Sequence, residues 1–358
     1  MNLQLVVGHA VPWTRPDRCP AGFVTNNVYL GRTSSPALAE LEVAVAEWSG
    51  EGPPTRDDLS RLHSLRVAKR TVPVLVAVEL PTGRVVTFGP SADAAPCGPF
   101  EGAQASRMLQ AVLEEPDQVK ARERWAGFNA AVDSSALAGV KNSGLFANHE
   151  IRVGVPQRED WSDACAASTA MLGERQTQLI QRLGFTASRG AAHSMVLNSG
   201  GPHPHAVAVL LDESESFDSS SARFAGSPVA YGLAQAEQLG VSWILLLRGG
   251  QLRLYPASTD LGVGRRGLSE TYFELDLPQL TPETAGYLTL VFSAEALAEG
   301  GSTFQILASS TQFAVGLGER LVTRCTRRSS RSCRSTSRLN CRRTASSSTP
   351  RVSTPPTR

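Results

Sequence analysis

Apolar and polar residues alternate in the first half of the chain with the spacing of helices in some stretches and of strands in others. Apolar residues at helical spacing predict a helix over 38–48, which the Gly-Pro-Pro break at 52–54 would end. The apolar runs 72–80 and 84–89, joined by a short Pro-Thr-Gly turn, predict a hairpin. Helical patterns follow at 103–114 and 117–133. The pattern therefore predicts an N-terminal α/β module, residues 1–155.

A second α/β module is predicted for residues 156–322. Its pattern indicates elements in the order α, β, β, α, β, β, at 163–183, 192–197, 205–212, 227–240, 242–248 and 251–255. The last two strands form a hairpin closed at Gly249-Gly250. A further strand is expected within 270–277 and a helix after the Thr-Pro-Glu at 281–283, whereas the connector 140–162 is expected to be irregular.

Residues 323–358 differ sharply from what precedes them. They contain ten Arg, nine Ser and seven Thr but no acidic or aromatic residue, a composition typical of disorder. Without them, the body has 25 Lys and Arg against 33 Asp and Glu, a net charge of −8. Two interpretations of the tail stay open: a basic arm that binds a polyanion, and a frameshift product, that is, an out-of-frame translation of a GC-rich gene.

The remaining composition favours a cytoplasmic protein with no membrane segment. The six cysteines include no Cys-x-x-Cys pair, and the apolar runs are far shorter than the roughly 20 residues that span a bilayer. The pattern Gly262-Val-Gly264-Arg-Arg-Gly267 has the letters of a dinucleotide fingerprint, but it precedes a predicted strand instead of a helix. No cofactor is therefore predicted from it.

Four segments resemble the front part of large bacterial restriction-modification proteins, in which a nuclease-like region precedes an N6-adenine DNA methyltransferase. They are the runs 144–161, 205–217 and 227–255 and the Glu-Thr-Tyr-Phe-Glu-Leu-Asp-Leu of 270–277. The chain contains no Asn-Pro-Pro-Tyr or Asp-Pro-Pro-Tyr, the motif that would hold a flipped adenine. The resemblance therefore implies a DNA-interacting, non-catalytic front fragment of such a methyltransferase.

The second module also resembles a PD-(D/E)xK nuclease fold. That chemistry needs carboxylates on neighbouring strands to hold Mg²⁺ and a lysine to position the attacking water. Glu174 and Asp212 are the candidate catalytic carboxylates, but no lysine follows Lys141, so the resemblance implies a degenerate site. Two alternatives stay open: a Mg²⁺-dependent DNA endonuclease that uses these two residues, and a protein-interaction module.

DNA contacts are expected to be weak and mainly electrostatic. Arg265 and Arg266 lie in a glycine-rich loop and are the candidate DNA-binding residues of the body, while the tail supplies most of the positive charge. His193, His203 and His205 have no cysteine nearby, so no metal site is predicted from them. Mg²⁺ is expected only under the endonuclease alternative.

Overall fold

A computed structural model describes residues 3, 5, 9–33, 39–68, 72–91, 93–133, 137–199, 203–264 and 267–316. The chain folds into a mixed α/β structure built on two mixed β-sheets. The predicted disordered tail 323–358 and the candidate DNA-binding residues Arg265 and Arg266 lie outside the described residues.

The first sheet has six strands in the order of the sequence, β1 to β6. Only β3 and β4 run parallel, and α1 connects them. Two further helices, α2 and α3, follow the last strand. The bounds are β1 Ala10–Pro12, β2 Phe23–Tyr29, β3 Glu42–Trp48, α1 Arg56–Val67, β4 Val74–Glu79, β5 Arg84–Phe88, β6 Cys97–Glu101, α2 Gly102–Leu113 and α3 Gln118–Asp133.

Both faces of the first sheet are covered by apolar side chains. Val43 and Val45 face a core shared with α2 and α3, whereas Ala44 and Ala46 face a second core shared with α1. Helix α1 begins at a capping box, in which Thr55 accepts a hydrogen bond from the backbone N–H of Asp58 and the Asp58 carboxylate accepts one from that of Thr55. Strand pairing and two apolar layers together fix this module.

The predicted hairpin 72–89 is confirmed as β4 and β5, but the predicted helix over 38–48 is wrong. Residues Glu42–Trp48 form β3, which pairs with β2 on one side and β4 on the other. A strand buried on both faces has a continuous apolar run, which periodicity alone does not distinguish from a buried helix. Its valines favour the strand, because a β-branched side chain fits a pleated surface.

The second sheet has seven strands in the order β7-β13-β12-β11-β10-β9-β8. Only β10 and β11 are parallel, and α6 connects them. The bounds are β7 Val140–Ser143, α4 Trp161–Thr169, α5 Gln176–Arg182, β8 Thr186–Arg189, β9 Ser194–Asn198, β10 Ala206–Leu211, α6 Pro228–Leu239, β11 Trp243–Arg248, β12 Gln251–Pro256, β13 Tyr272–Asp276, α7 Tyr287–Phe292, α8 Ala294–Leu297 and α9, 302–316.

Sequence signals explain the crossover helix α6. Ser227 caps its first turn by accepting from the N–H of Ala230, and Pro228 occupies the first helical position. Gly240 ends the helix in the left-handed region at φ 63°. The helix packs Val229 and Ala236 against β10 and β11, so that it covers one part of one sheet face.

Two details of the second module differ from the prediction. The helix expected over 163–183 is two helices, α4 and α5, because Gly173 lies in the turn between them and Gln176 has a positive φ of 43°. The connector expected to be irregular contains β7, which pairs antiparallel with β13. Strand β7 thus belongs to the second sheet although it precedes residue 155, where the sequence places the module boundary.

Among the residues that the structure describes, no helix is both long and apolar enough to cross a bilayer.

Candidate functional site

A cleft of about 450 Å³ lies between α3 of the first module and one face of the second sheet. Strands β12 and β13 form its floor. Their sequences alternate polar and apolar residues, so the polar side chains lie on the face toward the cleft and the apolar ones on the face toward the core. Leu252 and Leu254 face the apolar core, whereas Gln251 and Arg253 face the cleft. The floor is completed by Arg248 of β11 and by Glu274 and Asp276 of β13.

Arg253 is the most enclosed cation of the cleft floor, with 9% of its side chain exposed. Its Nε donates to Glu274 Oε2 at 2.5 Å, and its Nη1 donates to both Asp218 oxygens at 3.0 Å. The rings of Phe217 and Tyr272 each lie 4.4 Å from the guanidinium carbon. Burial disfavours the charge, but Glu274, together with Tyr255 and Asp218, outweighs burial and raises the pKa of Arg253.

The wall of the cleft is joined to the floor by two arginine–carboxylate pairs. Arg124 of α3 donates through Nη2 to Asp276 Oδ1 at 2.7 Å, and Arg248 donates through Nη2 to Glu115 Oε2 at 2.9 Å. Burial raises the pKa of Glu115, while Arg248 and Arg124 oppose this shift. These pairs cross from one module to the other and join the two sides of the cleft.

Two side chains of α2 extend the same interface beyond the cleft. Gln104 Nε2 donates to the carbonyl of Gln279 at 2.8 Å, and Arg107 Nη2 donates to that of Leu280 at 2.7 Å. Burial, with a smaller contribution from the nearby charge of Arg175, lowers the pKa of Arg107 to about 10. The interface between the two modules therefore contains directional hydrogen bonds of polar side chains, in contrast to the apolar core of each module.

The predicted carboxylates Glu174 and Asp212 lie at the end of the sheet where β10 finishes. Gln176 of α5 donates through Nε2 to the carbonyl of Leu211 at 3.3 Å, so the segment that carries Glu174 approaches Asp212. Each carboxylate has an arginine of its own: Arg182 lies 3.8 Å from Glu174, and Arg223 lies 3.1 Å from Asp212. Glu174 lies in the turn before α5 and not within a helix.

Arg223 is the centre of a polar cluster at this end of β10. Its Nη1 donates to Asp212 Oδ2 at 3.1 Å and to Glu215 Oε2 at 2.9 Å, and its Nη2 donates to the carbonyl of Leu210 at 3.1 Å. Its Nε donates to His193 Nδ1 at 3.2 Å. Strands β9 and β10 are antiparallel, so His193 before β9 and Asp212 after β10 meet at the same end of the two strands.

The acceptors around Arg223 are of the kinds that also bind metals: two carboxylates, an imidazole nitrogen and a carbonyl oxygen. A guanidinium supplies a fixed positive charge in their midst. Within the residues that the structure describes, no three His, Cys, Asp or Glu side chains are grouped so as to hold a metal ion. The arrangement offsets one of the two carboxylate charges and ties the loop 212–226 to the end of β10.

The sequence analysis did not identify Arg223 or Arg253. Arg223 binds the carboxylates at the end of β10, and Arg253 binds those of the cleft floor. The alternation of polar and apolar residues in Gln-Leu-Arg-Leu-Tyr and Tyr-Phe-Glu-Leu-Asp could have predicted the position of Arg253. It places Arg253 and Glu274 on the same face of neighbouring strands. Arg223 lies in a loop, and its sequence context has no comparable periodic signal.

Comparison with known protein families, with curated proteins and with solved structures finds no match to this chain. The chemistry of the cleft and of the cluster around Arg223 is therefore the basis for proposing a function.

Proposed function

We propose that the chain is a DNA-interacting, nuclease-like module without nuclease or methyltransferase activity of its own, related to the front part of restriction-modification methyltransferases. The observation that carries the proposal is the cluster around Arg223. It lies where β9 begins and β10 ends, which is where the resemblance to PD-(D/E)xK nucleases would put paired carboxylates and Mg²⁺.

The order of elements supports the nuclease-like part of the proposal. Helix α5, strands β8, β9 and β10, helix α6 and strand β11 follow one another, with a single parallel pair across α6. This is the helix–strands–helix–strand order predicted for the second module, with one strand, β8, added. Fold alone does not assign activity, so the argument about catalysis rests on the residues.

Residues at the end of β10 support the absence of cleavage. The strand is apolar from Ala206 to Leu211 and carries no carboxylate or lysine. Asp212, directly after it, is bound by Arg223, whose charge cannot be removed at physiological pH. A divalent ion at Asp212 would have to bind beside the fixed positive charge of that arginine, which also weighs against the endonuclease alternative.

The test combines a binding and a cleavage assay on the full chain. Fluorescence anisotropy with labelled duplex DNA should give weak binding that falls steeply with salt and is indifferent to sequence. Supercoiled plasmid should remain uncut in Mg²⁺, and S-adenosylmethionine should transfer no methyl group to it. The proposal is overturned by Mg²⁺-dependent cleavage that is lost in Asp212→Ala, or by no DNA binding even at low salt.

A further inference from the structure

The charges that line the cleft between α3 and the second sheet are almost balanced by pairing among themselves. Arg124, Arg248 and Arg253 all engage carboxylates there. Carboxylates still outnumber cations, because Lys120 and these three arginines face six acids: Glu115, Glu123, Glu215, Asp218, Glu274 and Asp276. A phosphate or carboxylate ligand would therefore meet repulsion.

Two other ligand classes also fit poorly. A metal ion lacks a grouped set of ligands in the described part of the chain. An apolar molecule would bury the polar floor of the cleft without replacing its contacts with water, which is costly. An uncharged ring that carries both hydrogen-bond donors and acceptors fits the cleft best.

Some polar groups of the cleft take no part in the hydrogen bonds between its own side chains. The bonds of Arg253 to Glu274, Asp218 and Tyr255 use Nε and Nη1, so Nη2 stays outside them. Gln279 donates its amide N–H to Asp276 and keeps its carbonyl oxygen outside that bond.

A glycine in the middle of α3 leaves room above the helix at this point. Gly127 lines the cleft, and a Cβ placed on it would meet no atom within 4 Å. Packing against neighbours therefore does not require glycine here, although glycine weakens a helix interior. The space it leaves is open to a ligand.

We propose that this cleft binds a free, uncharged nucleoside, which lacks the phosphate that the excess carboxylates would repel; the inference goes beyond the proposed function. A base has a flat face and an uncharged edge of donors and acceptors, which proteins read with planar arginine, glutamine and carboxylate groups. The volume of about 450 Å³ lies within the range of small-molecule sites.

The experiment titrates the full chain with free deoxynucleosides by isothermal calorimetry. Saturable binding is expected, and Gly127→Leu should weaken it about tenfold because its side chain fills the cleft. Ala126→Leu is the matched control, since Ala126 is the exposed neighbour on the same helix and does not line the cleft. Its affinity should stay within about twofold of the parent. If Gly127→Leu lowers the melting temperature, Gly127→Ala is the second variant. Alanine favours the helix and places a smaller side chain in the cleft.

Three results would overturn the inference. Equal competition by free deoxyribose would identify a sugar site instead of a base site. Equal weakening by Ala126→Leu and Gly127→Leu would place the ligand outside the cleft. Absence of nucleoside binding while duplex DNA still binds would remove this inference and leave the proposed function standing; loss of both would remove both.

Discussion

The two sheets of this protein differ in what covers their faces. The first sheet lies between two apolar layers, and every residue of its central strand β4 is buried. The second sheet has one apolar face, while its other face is apolar under α6 and charged over β12 and β13. A charged sheet face under a cleft is costly to build unless its groups are paired, so the second sheet is where a ligand site is expected.

The strongest way to break this comparison is to place a carboxylate on each sheet. Val76→Asp puts an unpaired charge into the apolar layer beneath α1 and should cost about 5 kcal/mol or more, enough to prevent folding. Gln251→Glu adds a charge beside Arg248 on the polar face and should change stability by less than about 1 kcal/mol. Urea unfolding measures the free energy of unfolding of both variants. If the two variants lose equal stability, the two sheet faces do not differ in how they tolerate a charge.

Removing one partner of a buried ion pair tests the second sheet alone. Arg253→Met leaves the Glu274 carboxylate, whose side chain is 13% exposed, without its closest cation. The expected loss is about 3–5 kcal/mol. The double variant Arg253→Met with Glu274→Met should recover most of it, because two apolar side chains replace the pair. If the double variant is no more stable than the single one, pairing is not what stabilises this face.

Loss of Arg223 should have a more local effect than loss of Arg253. Its side chain is 27% exposed, and Arg223→Met removes its bonds to Asp212, Glu215, His193 and Leu210. A loss of about 2 kcal/mol is expected. Limited proteolysis should cut within 212–226 sooner than in the parent protein. Arg182→Met, which removes the exposed partner of Glu174, is the control and should leave that cleavage rate unchanged.

The smallest predicted effect concerns a buried histidine beside the first sheet. His63 is 2% exposed, and its ring lies 3.0 Å from the Val74 carbonyl through Nε2. Burial lowers its pKa, partly opposed by that hydrogen bond. Below pH 6.5 the unfolded chain therefore binds a proton that the folded chain resists. Stability should fall with decreasing pH in that range, by at most about 1.4 kcal/mol per pH unit from this group.

Denaturant unfolding of the parent and of His63→Leu between pH 7 and pH 5 measures that contribution. The difference in stability between the two proteins should shift in favour of His63→Leu as the pH falls. An unchanged difference would mean that His63 is protonated in the folded state as readily as in the unfolded one.

Sequence patterns were sufficient for elements with a clear period and clear ends. Helix α6 was predicted within one residue of its bounds, because Ser227-Pro228 and Gly240 mark them. Strand β3 was mistaken for a helix, since burial on both faces removes the alternation that identifies a strand. Strand β7 was missed because its pairing with β13 joins residues more than 125 positions apart, which no local pattern encodes.

The candidate site was less accessible from sequence than the fold. Glu174 and Asp212 were singled out by residue type and position, and the structure gives each a pairing arginine. That pairing depends on the path of the loop 212–226 and on the turn before α5. The cleft could not be predicted, because it is formed only when α3 of one module packs over the strands of the other.

The most direct test of the central claim is a calorimetric titration of the metal-free full chain with MnCl₂. The account predicts no saturable binding, because the positive charge of Arg223 already lies between Asp212 and Glu215 and repels a cation, and it predicts that EDTA leaves DNA binding unchanged. Saturable binding of one ion per chain that disappears in Asp212→Ala would show that a metal displaces Arg223. That result would contradict the proposal that this chain is a nuclease-like module without catalysis.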